Sequence, residues 1–403
     1  MKPHIATRTV HAGEARPRPS GAVTTPIAQC STYAFESTSE IQSFVEKKAA
    51  RDPDLRYEYG RYGNPTIAVA ERRIADLEQG EAALLFASGM SALTTALLSL
   101  LDAGDHLIVA SSTYRQTRNF VIDHLARWRI DATFVADASL DEVETAIEPR
   151  TRAILFETPT NPFMRVLAID RLASIAKERG ILTLIDSTLA TPINLRPLDL
   201  GVDLVIHSAT KYLGGHNDLL GGAVVGRRTL LRDIEKARGV LGGVPSPFDA
   251  YLLIRGLKTL ALRVERQNRT GLRIAERLLA EPAVEVVHYP GLAGHPDDET
   301  ARRLLSGFGG VVSFEVRGTS ADASRVIDAL RIPHIGPTFG GVESIAQQQA
   351  LFISPDEAER RRYGIPDTLI RYAAGIEDPD DLIADLTRAL AQVGGDGGPE
   401  DSQ

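Results

Sequence analysis

Lys211 stands at the end of an apolar run in VDLVIHSATKYLGGHND (202–218), among Ser208, Thr210, Gly214 and Gly215. Most lysines are solvated surface cations, because a buried charge without a partner is costly. A lysine just beyond a buried strand is a different case. Partial desolvation favours its neutral amine, and a neutral amine attacks carbonyl carbon. The nearby hydroxyls can donate and accept, and the glycines let backbone approach closely. Asp186 ends a second apolar run, ILTLIDSTLATP (181–192). An ionised carboxylate there needs a cation or several donors. A helix cap or an Asx-turn would meet that need, and so would a protonated pyridine nitrogen. A third run, EAALLFASGMSALTTALLSLL (81–101), passes through Ser88, Gly89 and Met90 into a helix. The free N–H groups and dipole at a helix start suit a phosphate. Tyr114, in SSTYRQT, follows a fourth run ending at Val109, and an aromatic ring there can stack on a flat ligand. Each feature alone has an ordinary structural explanation. An amine, a carboxylate, a helix start and a ring, each after a different strand, together match one ligand, a phosphorylated pyridine aldehyde.

The elements that must position these groups are legible in the pattern. From about residue 64, helical stretches alternate with short apolar runs: Ala82–Phe86, His106–Val109, Thr133–Val135, Ala153–Glu157, Leu182–Asp186, Leu204–His207 and Gly222–Val225. Such runs, each followed by turn-forming residues, predict buried strands of a mainly parallel α/β sheet. Side chains at the carboxyl ends of those strands line the ligand crevice. Before residue 60 periodicity is weak: 17–39 reads as an extended arm and 38–50 as a polar helix. The segment 245–269 reads as one long helix capped near Ser246 or Asp249. Beyond it, AVEVVHYP, GGVVSFEV and the helical stretch Ala321–Leu330 predict a smaller α+β domain. The expected division is an arm over 1–63, a large domain over 64–258, a small domain over 259–393 and a disordered Gly-rich, acidic tail over 394–403.

Composition narrows the classes. The chain has 403 residues and a net charge of −8, which disfavours a nucleic-acid surface. No apolar run of about 18 residues is present, so no membrane span is expected. The N-terminal segment has no apolar h-region, which makes the cytoplasm the expected location. Cys30 is the single cysteine, so no disulfide forms within the chain, and no metal is expected. His207 and His216 lack zinc-site spacing. No GxGxxG or GxxxxGK[ST] pattern stands in a nucleotide-binding context.

The chain resembles the Cys/Met-metabolism (transsulfuration) enzymes, which depend on pyridoxal 5'-phosphate. The resemblance rests on TVHAG, YEYGRYGNPT, FASGM, ETPTNP, HSATKYLGGHND, SPFDAYLLIRGLKTLALR, GFGGVVSFE, FGGVES and LIRYAAGIED, spread over nearly the whole chain. YGRYGNPT, TYRQTRNF and RIPHIGPTFGGVES look most like the cystathionine γ-synthase branch. The implied fold is type I of the pyridoxal-phosphate transferases, aspartate-aminotransferase-like, with a mainly parallel seven-stranded sheet and a smaller C-terminal α+β domain. The implied roles follow. Lys211 is the Schiff-base lysine and proton shuttle. Asp186 pairs with the pyridine nitrogen, and Tyr114 stacks on the ring and relays protons. Gly89, Met90, Ser208 and Thr210 hold the phosphate. Tyr59 and Arg61 reach the phosphate of a neighbouring subunit, so a homotetramer built of catalytic dimers is expected. Arg371 clamps the substrate carboxylate, as its guanidinium fork suits. Asn161, Glu343 and Ser344 help to position the amino acid and the cofactor.

The implied reaction is γ-replacement on an O-activated L-homoserine, with L-cysteine giving L-cystathionine. Elimination by a cystathionine or methionine lyase, and replacement with another nucleophile, use the same groups. A non-enzymatic binding protein is disfavoured by the presence of Lys211, Asp186, Tyr114 and Arg371 together. One segment departs from the family pattern. After GGVES the relatives carry a Pro-Ala pair and then a Met-Ser or Met-Thr segment, whereas this chain reads IAQQQALFISPDEAERRRYG. Gln349 takes the proline's place, and Phe352 and Ile353 fall near the Met-Ser/Thr.

Overall fold

The computed structural model describes residues 3–14, 21–50, 55–136, 139–353, 360 and 364–394. The expected tail beyond Gly394 and part of the expected arm lie outside these residues. The seven apolar runs form β1 (Ala82–Phe86), β2 (His106–Ala110), β3 (Asp131–Val135), β4 (Thr151–Glu157), β5 (Leu182–Asp186), β6 (Leu204–Ser208) and β7 (Gly222–Gly226). They pair in one seven-stranded sheet of order β1-β7-β6-β5-β4-β2-β3. All neighbours run parallel except β7, which is antiparallel to both β1 and β6.

Alternation along each strand feeds two faces. Leu84 and Phe86 of β1 pack with Leu93 and Leu97 of helix Gly89–Leu100 and with Leu231 and Ile234 of helix Arg228–Leu241. Ala83 and Leu85 face the other way, onto Ile74 and Leu77 of helix Pro65–Glu78 and Leu253 of helix Pro247–Leu257. Each such leucine, once fully buried, contributes roughly 1.5–3 kcal/mol. With both faces covered, the carboxyl edge of the sheet is left for a ligand. In register, Phe86 and Ser208 both meet Gly222, and Asp186 meets Glu157 and Ile206. The ends of β1, β4, β5 and β6 are thereby brought together.

A second, five-stranded sheet comprises β8 (Val284–His288), β9 (Val311–Val316), β10 (His334–Ile335), β11 (Ile345–Gln348) and β12 (Leu369–Ala373), in the order β10-β11-β12-β9-β8. Val312, Phe314, Ile370 and Tyr372 pack under helices Leu260–Leu279, Ser320–Ala329 and Pro379–Leu390. The alternate residue Arg371 therefore points to the opposite face.

Two expectations change. The segment 245–269 is two helices, Pro247–Leu257 and Leu260–Leu279, with Ser246 capping the first. Continuation would need the Gly256 carbonyl to accept from Leu260. That oxygen instead accepts from Thr259 N–H at 3.2 Å, Thr259 Oγ1 at 3.2 Å and Arg263 Nη2 at 2.9 Å. The weakly periodic N-terminal segment contains a short helix, Ile5–His11, besides the expected one at Thr38–Ala49. Buried Arg73 ties that region down, donating to the carbonyls of Thr9, Ala12 and Ile254. Among the described residues no helix is long and apolar enough to cross a membrane.

Candidate active site

A cavity of about 510 Å³ opens at the carboxyl edge of the large sheet, closed on one side by the small sheet. Gly89, Met90, Tyr114, Asn161, Asp186, Ser208, Thr210, Lys211 and Arg371 all line it. These nine expected site residues come from six separate segments of the chain. The carboxyl ends of adjacent strands converge, as parallel sheets dictate.

Lys211 sits in the turn after β6, and its backbone N–H donates to the Ser208 carbonyl. Its Nζ donates to Thr338 Oγ1 at 2.6 Å and lies 5.2 Å from the centre of the Phe339 ring. Burial, and then the nearby positive charge of Arg371, pull its pKa down to about 8. Roughly a fifth of the amine is then neutral near physiological pH, against about a thousandth for an ordinary lysine.

Asp186 carries the opposite burden. Burial pushes its carboxyl above the usual range, against the lowering effect of Thr188. Its Oδ1 accepts from Thr188 N–H at 3.0 Å and Thr188 Oγ1 at 2.5 Å. Among the described residues no cation forms an ion pair with it. The same Thr188 oxygen accepts from Ser208 N–H at 2.8 Å, which joins the ends of β5 and β6.

The helix Gly89–Leu100 begins at the cavity. Ser88 caps it, its Oγ accepting from Ser91 N–H at 3.0 Å. The N–H groups of Gly89 and Met90 find no acceptor among the described residues, as the first turn of a helix requires of some of its donors. A Cβ at Gly89 would come within 2.9 Å of Ser208 Cβ, so only glycine fits between this helix start and β6. Thr210 Oγ1 accepts from Gly221 N–H at 3.0 Å. Tyr114 caps the next helix, Arg115–Asp123, and is 52% exposed, its ring unpacked on the cavity side.

On the far wall Arg371 is buried. Its Nη1 donates to Asn161 Oδ1 at 3.2 Å, and its Nη2 to Thr338 O and Gln347 Oε1, both at 3.0 Å. Its Nε has no hydrogen-bond partner among the described residues. Burial lowers its pKa to about 10, which leaves it a cation at neutral pH.

Tyr59 and Arg61 do not reach this cavity. Arg61 stacks on the Tyr59 ring at 5.0 Å, and its Nη1 donates to Gly239 O at 2.7 Å. Glu343 and Ser344, expected at the substrate, do not line the cavity either. Ser344 is buried, donates to Glu377 Oε2 at 2.9 Å and accepts from Gly375 N–H at 2.9 Å. Glu343 is exposed and accepts from Asn217 Nδ2 at 2.9 Å. Ser344 thus holds the loop after β12, and Glu343 the loop that follows Lys211, in place of the expected substrate contacts. Several residues at the site were not anticipated: the lining residues Glu157, which accepts from Tyr114 N–H at 3.2 Å, Thr188 and Gln347, and Thr338, which accepts from Lys211 Nζ and Arg371 Nη2. Glu157 ends β4 just as Asp186 ends β5, and that parallel was the available signal. Gln347 comes from β11 of the small sheet and Thr338 from the loop between β10 and β11, where no periodicity points at a distant strand edge.

The family model for Cys/Met metabolism PLP-dependent enzymes matches residues 6–391. The chain belongs to this family. It is 46% identical over 389 residues to cystathionine gamma-synthase 1, chloroplastic, of Nicotiana tabacum, covering 95% of this chain and 71% of that protein. It is 39% identical over 390 residues to the cystathionine gamma-lyase of Bacillus subtilis, covering 96% of this chain and 99% of that protein. The structure of cystathionine gamma-lyase from Lactobacillus plantarum complexed with L-serine superposes with a TM-score of 0.88 at 36% identity, over 98% of this chain and 99% of that one. The cofactor is therefore pyridoxal phosphate, and the substrates are small amino acids.

The cavity fits that cofactor on its own chemistry. A desolvated amine, a desolvated carboxylate with no cation paired to it among the described residues, and a helix start that excludes even a methyl group are complementary to an aldehyde, a pyridinium and a phosphate.

Proposed function

We propose that this protein catalyses γ-replacement on an O-activated L-homoserine, with L-cysteine as nucleophile and L-cystathionine as product. The carrying observation is the higher identity to the tobacco gamma-synthase, 46%, than to the Bacillus gamma-lyase, 39%. The convergence of the amine, carboxylate and guanidinium on one cavity supports it.

Lys211 would hold the cofactor through Nζ. The N–H groups of Gly89 and Met90 and the hydroxyls of Ser208 and Thr210 would take its phosphate, and Tyr114 would cover the ring. Bound there, the cofactor supplies a carbonyl for the substrate amine and a sink for negative charge. Asp186 keeps the pyridine nitrogen protonated. Arg371, steered by Asn161, binds the α-carboxylate and fixes which Cα–H bond faces Lys211. The Lys211 amine removes that proton and then carries protons at Cβ, so that the γ-substituent can leave and the nucleophile can add. Its lowered pKa suits both directions of transfer.

Tyr59 and Arg61 would serve the phosphate of a neighbouring subunit. Tyr59 is exposed and Arg61 half-buried, both away from their own chain's cavity, which supports a catalytic unit of at least two subunits; a homotetramer of such dimers is the proposed assembly.

The test pairs O-succinyl-, O-acetyl- and O-phosphohomoserine with L-cysteine and identifies products by mass. Cystathionine from at least one ester is expected. Release of 2-oxobutyrate whether or not cysteine is present would instead establish a lyase.

A further inference from the structure

The cavity wall next to Arg371 carries a chain of amides whose orientation is fixed. A guanidinium only donates, so Gln347 must turn its oxygen toward Arg371 Nη2, at 3.0 Å. The Gln347 Nε2 then has to donate, and it does so to Gln349 Oε1. Gln349 is consequently left with its NH₂ group outward. That group has no acceptor among the described residues, and Gln349 lines the cavity. Gln348, between them, points the other way. Its amide is used up on Ser320 and Ser324 and on the Asp367 carbonyl. Strand alternation separates Gln347 from Gln348 at the end of β11, and Gln349 begins the 3₁₀ turn that follows.

The surroundings of that NH₂ group are mixed. Phe163, Phe352, Ile353 and Ile365 also line the cavity, and Phe163 and Ile353 pack with Ile365 in a small apolar cluster. Arg115 stands at the same wall, its Nη1 donating to the carbonyls of Phe352 at 3.0 Å and Ile353 at 3.2 Å. An apolar pocket with one outward amide donor and one cation at its rim suits a short aliphatic arm that ends in an acceptor oxygen.

We infer that Gln349 is a specificity-determining residue, donating to an anionic or carbonyl oxygen at the far end of the amino-acid substrate's side chain. This deepens the proposed reaction and rests on Arg371 holding the α-carboxylate at the other end. Because Arg371 and Gln349 are joined through Gln347, the two ends of the substrate are gauged by one hydrogen-bonded rule.

The experiment measures calorimetrically the affinities of the holoenzyme for L-2-aminoadipate and L-norleucine. These are unreactive amino acids whose side chains end in a carboxylate and a methyl group. Wild type should prefer aminoadipate by about tenfold, the scale of one hydrogen bond to a charged group. Gln349→Leu should bring the ratio close to one, and Gln349→Glu should reverse it. A general loosening of the Arg371 clamp would weaken both ligands together and leave the ratio intact. A wild type without preference, or a ratio unmoved by both substitutions, would overturn the assignment. Turnover does not enter the measurement, so a failure of the γ-replacement reading would show in the ester assay and not in this ratio.

Discussion

At the residue scale, the environment of Lys211 makes a pH prediction. With a pKa near 8, the amine is protonated below that pH and nucleophilic above it. Capture of added cofactor by the cofactor-free protein should rise through a midpoint near pH 8 and then level off, followed by stopped-flow absorbance. A midpoint near the ordinary lysine value, about 10.4, would mean that the amine is solvated. Arg371 supports a second prediction. Truncating one member of a buried, hydrogen-bonded charge pair costs about 2–5 kcal/mol. Arg371→Ala should therefore raise KM for the amino acid by roughly 30-fold or more, with cofactor absorbance retained, and Arg371→Lys should not rescue it because the fork is lost. An unchanged KM would remove Arg371 from the substrate site. Lys211 was legible in the sequence because it follows the end of an apolar run, whereas Arg371, in the middle of β12, was marked only by the family resemblance. Gln347 and Thr338 were not legible, since their positions depend on how a second sheet docks against the first. Ser344 was misread for the complementary reason: its segment lies next to the cavity in sequence, but its side chain turns inward to Glu377.

At the element scale, the short apolar runs between helical stretches located the seven strands of the large sheet to within a residue or two. Burial on both faces leaves such strands uniformly apolar. The pattern did not reveal that β7 runs antiparallel, because an all-apolar strand has no direction in its hydrophobicity. It also missed the break at Lys258–Thr259. That break is decided by a tertiary interaction, the Arg263 guanidinium on the Gly256 carbonyl and on Tyr212 O at 2.8 Å. The same corner holds the loop after Lys211, since a methyl group at Gly256 would overlap the Gly214 carbonyl. Gly256→Ala should destabilise the protein by about 1–3 kcal/mol, as overpacking does, measured by denaturant unfolding. An unaltered midpoint would show that the loop yields freely. Gly89→Ala should act at the other end of the cavity, weakening cofactor affinity along with stability, because the added methyl group meets Ser208 at the mouth of the phosphate cradle. Equal cofactor affinity in the variant would place the phosphate elsewhere.

At the scale of the whole molecule, the two sheets divide the labour. The large sheet provides the amine, the carboxylate and the helix start, and the small sheet provides the carboxylate clamp and the gauge for the side chain. The proposed dimer adds Tyr59 and Arg61 from the neighbouring subunit. If each cavity is completed in this way, Arg61→Ala and Lys211→Ala proteins are each impaired for a different half of a shared site. Mixed and reassociated, they should form hybrid dimers with one intact cavity, so activity should reappear from two impaired parents. Mixing without any gain would confine each cavity to its own chain. The assembly was the least legible feature of the sequence. Exposed aromatic and basic residues such as Tyr59 and Arg61 carry no periodicity, and only the family resemblance marked them.

The most direct measurement is borohydride reduction of the purified holoenzyme, followed by proteolysis and mass spectrometry. Reduction makes the link between cofactor and lysine permanent. The reduced cofactor should be found on the peptide containing HSATKYLGGHND, at Lys211, and the absorbance near the visible edge should vanish together with activity. Recovery of the cofactor on another lysine, or on none, would contradict the assignment on which the whole site is built.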